Sequence, residues 1–219
     1  MKSSRACLIG ALVIFFTFAE ARGEDMKTIT LPKPRTKGIV SVEEAIQKRR
    51  SVRSYLSKDL TLEDISQLLW ACQGITDERR SLRAAPSAGA LYPLEIYIAK
   101  KDGVFHYIPD GHKLETLSGK DVKPDLAQAS LGQSYVEEAP VDIIICAVYN
   151  RITSRYGQRG ALYTDIEVGH ASENVFLQAV ALGLDSVPIG AFDEAAVAKI
   201  LKLLKDTRPL YILPVGYKK

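Results

Sequence analysis

The nine residues VDIIICAVY, 141–149, limit what this chain can fold into more than any other stretch. Apart from Asp142 the run has no polar alternation, so as a strand it offers no face that water would solvate. Such a strand has to be covered on both sides, and its Val and Ile content suits the pleated conformation. The fold must therefore hold a sheet with other elements packed above and below it.

Those elements are legible around it. Ser41 and Glu44 have capping-box spacing, and Val42, Ala45 and Ile46 predict the buried stripe of a helix ending near Arg49. Thr61 and Asp64 open a second helix, with Leu62, Ile65, Leu68, Leu69 and Cys72 on one face and Gly74 as its stop. LEIYIAKK, the Asp102-Gly103 turn and VFHYI read as a β-hairpin. A helix from about Asp125 to Glu137 is expected before the apolar strand. After it come a loop, NRITSRYGQRG, and a long helix from about Leu162 to Leu182. A strand SVPIGA, a helix opened by Asp193 and a last strand LYILPVG follow. Helices and antiparallel strands without a βαβ rhythm predict an α+β fold.

The N-terminus reads differently. Lys2 and Arg5 precede the apolar run CLIGALVIFFTFA, and Ala19-Glu20-Ala21 follows as an A-x-A cleavage signature. Residues 1–21 are thus expected to be a secretory signal peptide, the run being short for the roughly 20 apolar residues of a bilayer span. An uncleaved anchor is the alternative. Residues 22–40, with Pro32, Pro34 and Gly38, read as an extended lead-in to one domain over 41–219. The expectation is an exported protein, touching membrane only through its N-terminal segment. Beyond residue 21 there are 27 Lys and Arg against 25 Asp and Glu, a net +2 that predicts no nucleic-acid partner. Cys72 and Cys146 are too few for a disulfide scaffold, and their pairing is left open.

Three stretches could carry chemistry. In RRSVRSYL, 49–56, Arg49, Arg50 and Arg53 surround Ser51 at a helix exit. Guanidinium forks and a hydroxyl suit a phosphate, although a solvated helix end explains the same charges. In RAAPSAGALYP, 83–93, small residues would let a backbone press against a flat ligand, or form an ordinary loop. In VPIGAFDEAAV, 187–197, the Gly190 and Ala191 amides precede the Asp193 cap and could face a ligand, or simply turn the chain. His106, His112 and His170 lack metal-ligand spacing, and neither a G-x-S-x-G elbow nor a P-loop is present.

In order along the chain, RRSVRSY, LLWACQGIT, APSAGALYPLEIYI, EEAPVDIIICAVYNR, RYGQRG, GHASENVFLQAVALGLDSVPIGAFD and YILPVG resemble the nitroreductase family of flavoproteins, most closely its SagB-type dehydrogenase branch. The resemblance spans about residues 41–217 and implies a mainly antiparallel central sheet flanked by helices. It also implies FMN bound between the subunits of a homodimer, with hydride passing between flavin N5 and a small organic substrate. By the same resemblance Arg49, Arg50, Ser51 and Arg53 hold the phosphate, ribityl chain and pyrimidine edge. Pro86, Ser87, Ala88 and Gly89 line the cofactor from the partner subunit. Pro188, Ile189, Gly190 and Ala191 lie beside the ring, Gln133 contacts the pyrimidine, and Lys218 adds a late phosphate contact. NAD(P)H is the implied reductant.

Two departures from the family pattern stand out. Azoline-oxidising relatives carry Lys-Tyr where this chain has Arg155-Tyr156. Arginine stays protonated, so it cannot act as a general base, which leaves Tyr156 to donate a proton or orient a substrate. Glu173-Asn174 stands where relatives often show Gln-Asn. Export itself sets a second reading beside the enzyme: a secreted flavin- or ligand-binding module without turnover.

Overall fold

The computed structural model describes residues 27–219. The predicted signal segment lies outside those residues, as do residues 22–26 of the lead-in. One seven-stranded sheet organises the chain. Its strands are β1 (Thr28–Thr30), β4 (Leu94–Lys100), β5 (Gly103–Ile108), β6 (Lys113–Ser118), β7 (Val141–Val148), β8 (Asp185–Ser186) and β9 (Thr207–Gly216). They lie in the order β1-β6-β5-β4-β7-β9-β8, every pair antiparallel. A small separate hairpin joins β2 (Ile75–Asp77) to β3 (Leu82–Arg83).

The apolar strand sits where its composition requires. All eight residues of β7 are buried, between β4 and β9. Ile143, Ile145 and Ala147 face one side with Ile96, Ile98, Leu213 and Val215. That face is covered by α2 (Leu62–Gln73) and α6 (Arg159–Ala181) through Leu68, Leu69, Val168 and Val175. Ile144 and Cys146 face the other side with Tyr97 and Ile212. There α3 (Lys123–Ala129), α4 (Ser134–Glu138) and α7 (Glu194–Ile200) cover them with Leu126, Val136 and Val197. Each fully buried Val or Ile is worth roughly 1.5–3 kcal/mol, so this double-sided layer supplies most of the cohesion. Cys72 and Cys146 belong to these opposite faces, and both are free thiols.

Local chemistry explains several boundaries. Thr61 and Asp64 complete the capping box of α2. Gly74 ends that helix with φ −66°, so no left-handed cap is involved; a Cβ there would sit 2.5 Å from Trp70 Cδ1. Asp193 caps α7 by accepting from the Ala196 N–H at 3.0 Å.

Other expectations are corrected. Ser41 caps α1 (Val42–Lys48), but Glu44 pairs with Lys48 instead of closing the box. Of the expected stripe only Ala45 is buried, while Val42 and Ile46 are 64% and 58% exposed. The helix expected over 125–137 is two, because Leu131 and Gly132 turn at φ +59° and +74°. The expected loop before the long helix holds α5 (Asn150–Tyr156). Gly160 lets α6 start against it, since a Cβ there would lie 3.0 Å from the Ile152 carbonyl. Strand SVPIGA shrinks to β8 and a bridge between Ile189 and Ile212, consistent with Pro188 having no N–H to donate. His170 stands exposed on α6 rather than packed.

Candidate functional site

The arginine stretch is pinned from below. Tyr55 is 1% exposed and donates its hydroxyl to the Val52 carbonyl at 2.7 Å, packing with Val52 and Ala139. Gly216 makes room for it, because a Cβ there would come within 2.9 Å of the Tyr55 ring. The Val52 N–H donates to the Ser186 carbonyl at 3.1 Å, and the Leu56 N–H to the Tyr217 carbonyl at 2.8 Å. Ser51 bridges Ser186, and Tyr55 bridges Lys218. Val52 and Tyr55 are thus buried under the stretch, while Arg50, Arg53 and Lys218 are exposed.

These cations are held without being neutralised. Arg53 and Lys218 have no carboxylate partner among the described residues, and Arg50 turns to the Gln47 and Arg49 carbonyls at 3.0 and 2.7 Å. Arg49 caps α1 and has Glu173 Oε1 at 4.0 Å. Behind them, burial pushes the Asp185 carboxyl up against the pull of Lys218.

Ser186 leads directly into Pro188, Ile189, Gly190 and Ala191, so the first and third stretches form one strip. The mutual Ile189–Ile212 hydrogen bonds, at 2.9 and 3.0 Å, fix the strip to β9. Beyond them the exposed Gly190 and Ala191 amides donate to no acceptor among the described residues. Gln133 stands at the far end. Its side-chain amide donates to the Ser130 and Ala191 carbonyls at 2.7 and 3.1 Å, and its Oε1 accepts from Tyr135. In this chain Gln133 braces the turn.

Pro86 to Gly89 lie elsewhere, with Arg155 and Tyr156. A Cβ on Gly89 would meet Tyr156 Oη at 2.8 Å and Arg155 Nη1 at 3.1 Å. Gly89, Ala90 and Tyr92 all have positive φ, at +64°, +53° and +46°. Left-handed conformations at Ala and Tyr are strained and persist only where neighbours impose them. Here the Tyr92 N–H donates to Ser87 Oγ at 2.9 Å, and the Arg83 N–H to Tyr92 Oη at 3.1 Å. Underneath is a buried polar group that sequence reasoning missed. Gln73 Nε2 donates to Glu167 Oε1 at 3.3 Å and Arg83 Nη1 to Gln73 Oε1 at 3.4 Å. Burial pushes the Glu167 carboxyl up, opposed by Ser87, Gln73 and Arg83. Nothing in the helical pattern separates Glu167 from a solvated glutamate; only the packing of α2 on α6 does.

The described residues therefore carry two candidate surfaces: a cationic strip with free amides, and a strained small-residue loop against Arg155-Tyr156. Ten residues of α6, about 15 Å of helix, separate Tyr163, which packs on Tyr156, from Glu173, which faces Arg49. Among the described residues, no cluster of His, Cys, Asp or Glu has the makings of a metal site.

Comparison with known proteins bears on the family and the fold. The model of the nitroreductase family matches residues 46–217. The chain is 44% identical over 185 residues to MJ1384 of Methanocaldococcus jannaschii, which bears a provisional nitroreductase name; the match covers 82% of this chain and 92% of that one. It is 25% identical to the microcin B17-processing protein McbC of Escherichia coli over 68% of this chain and 58% of that one. It is 24% identical to an FMN reductase [NAD(P)H] of Bacillus subtilis over 80% and 65%. A solved structure from Ralstonia eutropha JMP134, provisionally described as a nitroreductase, superposes with TM-score 0.81 at 27% identity, covering 90% of this chain and 92% of that one. The matched span holds every strand of the large sheet except β1, and both candidate surfaces except Lys218; the chain belongs to the nitroreductase family, a family of oxidoreductases.

Proposed function

We propose that this protein is an FMN-dependent oxidoreductase which exchanges hydride between its flavin and a small organic substrate, with NAD(P)H as reductant. The observation that carries the proposal is the rigid strip from Arg49 to Lys218. Arg50, Arg53 and Lys218 stand un-neutralised at one end, beside Arg49 with its Glu173 partner, and unbonded backbone amides stand at the other. These residues fit a planar cofactor with a phosphate-ester tail. Arg50, Ser51, Arg53 and Lys218 would hold the phosphate and ribityl end, and the Pro188–Ala191 turn would flank the ring. The names of the FMN reductase and nitroreductase relatives support the same assignment.

When bound, the flavin would supply a two-electron carrier that accepts and returns hydride at N5. The chain's own residues position and polarise. Guanidinium groups stabilise negative charge at the phosphate and at the pyrimidine edge. The Gly190 and Ala191 amides are donors fixed before any ligand arrives, so aligning them costs no reorganisation. Tyr156 and Arg155 orient the substrate, with the Tyr156 hydroxyl as the proton-bearing group. Arg155 in place of a lysine argues against proton abstraction from a peptide azoline.

A homodimer belongs to the proposal, since it would bring the Pro86–Gly89 loop of one subunit to the strip of another. Val42, Ile46, Leu162 and Ile166 support it. They leave large apolar side chains 43–64% exposed on α1 and α6, two helices packed against each other. The signal-peptide layout of residues 1–21 adds export, which fractionation and N-terminal sequencing of the expressed protein would test.

The deciding experiment is reconstitution. The purified chain should take up FMN, show flavin absorbance, bleach with NAD(P)H and recover with a quinone or nitroaromatic. A colourless protein after incubation with FMN sinks the flavin assignment, and bound flavin that no reductant bleaches leaves a binding module.

A further inference from the structure

At the second candidate surface lies a cluster of four side chains, of which the proposed function uses only Arg155 and Tyr156. Tyr156 and Tyr163 pack edge to face, with ring centroids 5.4 Å apart at 82°. The Arg155 guanidinium carbon stands 5.5 Å from the Tyr156 ring centroid, and that of Arg159 5.7 Å from the Tyr163 centroid. Both arginines are exposed, and neither has a carboxylate partner among the described residues.

Acids on the neighbouring turns of α6 are engaged elsewhere. Asp165 accepts from Tyr149 Oη at 2.6 Å, and Glu167 is buried against Gln73. Arg151, one turn before Arg155, is already paired with Glu95. The charge on this corner is therefore left over specifically at Arg155 and Arg159. It also sits at the active end of the molecule, because the strained Gly89 backbone rests against Arg155 and Tyr156.

Two tyrosine rings alone would suit any flat molecule. Two un-neutralised guanidinium groups held on them add selection for negative charge, since a guanidinium binds an oxyanion with two parallel N–H donors. We propose that the Arg155–Tyr156–Arg159–Tyr163 array is a binding face for planar anions, so that the non-flavin substrate carries a carboxylate, sulfonate or phosphate next to an aromatic or quinonoid ring. This rests on the flavin reading of the same site and deepens it by naming the substrate class.

Binding is measured first on the flavin-free protein, by calorimetry with naphthalene-2-sulfonate and 2-naphthol as a charge-differing pair. The sulfonate should bind tighter, and Arg155→Gln/Arg159→Gln should lower its advantage over the naphthol about tenfold. Arg155→Lys/Arg159→Lys should recover part of it. The FMN-loaded protein then separates the two sources of such an anion. A selective loss in reoxidation by a naphthoquinone sulfonate, relative to the unsulfonated quinone, places the anion on the acceptor. A selective loss in bleaching by NADPH places it on the reductant. Equal losses for charged and neutral partners, or none, overturn the proposal. A protein that takes up no FMN yet still discriminates the naphthalene pair would refute the flavin reading and leave the anion face standing.

Discussion

Lys123→Met separates packing from charge beneath the candidate site. Lys123 opens α3 with a side chain 0% exposed, and its ammonium donates to the Val136 carbonyl at 2.7 Å, to Asp142 Oδ2 at 2.9 Å and to the Ala139 carbonyl. Asp142 is the one charge in the central strand, and Ala139 packs on Val52 and Tyr55 under the arginine stretch. Removing one member of a buried pair costs about 3–5 kcal/mol, a large part of the ~5–15 kcal/mol that holds a domain together. The pH dependence is more diagnostic. Burial lifts the Asp142 carboxyl to about 7, and Lys123 is the strongest influence pulling it down. A carboxyl raised in the fold binds more protons there than in the unfolded chain, so stability falls as pH rises from about 4 towards 7 and then levels for this group. Without Lys123 the carboxyl titrates higher, and the fall continues above pH 7. Below the raised pKa each pH unit changes the unfolding equilibrium constant by up to tenfold, so the gap between variant and wild type should widen above pH 7 by up to ~1.4 kcal/mol per pH unit. Urea unfolding of the flavin-free proteins at pH 7, 8 and 9 measures it, with Lys123→Met/Asp142→Asn expected to abolish the widening. Parallel curves for wild type and Lys123→Met would refute the idea that Lys123 keeps this carboxylate charged.

Arg53→Ala should weaken FMN binding about tenfold or more while leaving riboflavin affinity unchanged, because only FMN carries the phosphate; equal effects on both would remove Arg53 from the phosphate end. Gly89→Ala combines a φ of +64° with a Cβ 2.8 Å from Tyr156 Oη, so it should lower stability by about 1–2 kcal/mol and turnover more than flavin content. Burial pushes the Cys72 and Cys146 thiols up, so neither should react with a thiol reagent near neutral pH until the chain is unfolded, when both should titrate. Asp replacements at Val42 and Ile166 should shift a sedimenting dimer towards monomer, whereas an unchanged sedimentation coefficient would move the interface elsewhere.

Much of the architecture was written in local patterns. An unbroken apolar strand had to lie between two layers, Asp102-Gly103 had to turn a hairpin, and Thr61 with Asp64 had to start a helix. Each follows from interactions within a few residues or from the cost of leaving apolar surface in water. The residue types of the cationic strip were equally visible, because three arginines around one serine need either solvent or an anion. Tertiary structure decided which faces are covered and which groups meet. Val42 and Ile46 are apolar at helical spacing, yet nothing in the described chain packs over them. Gln133 has its donors taken by carbonyls on two separate turns. Glu167 is buried only because α2 and β3, some ninety residues earlier, close over it. Arg155 and Tyr156 meet Gly89 only after the sheet has brought distant loops to one end. Such outcomes depend on contacts between residues far apart in the chain, and a one-dimensional pattern holds no record of the partner that each side chain will find.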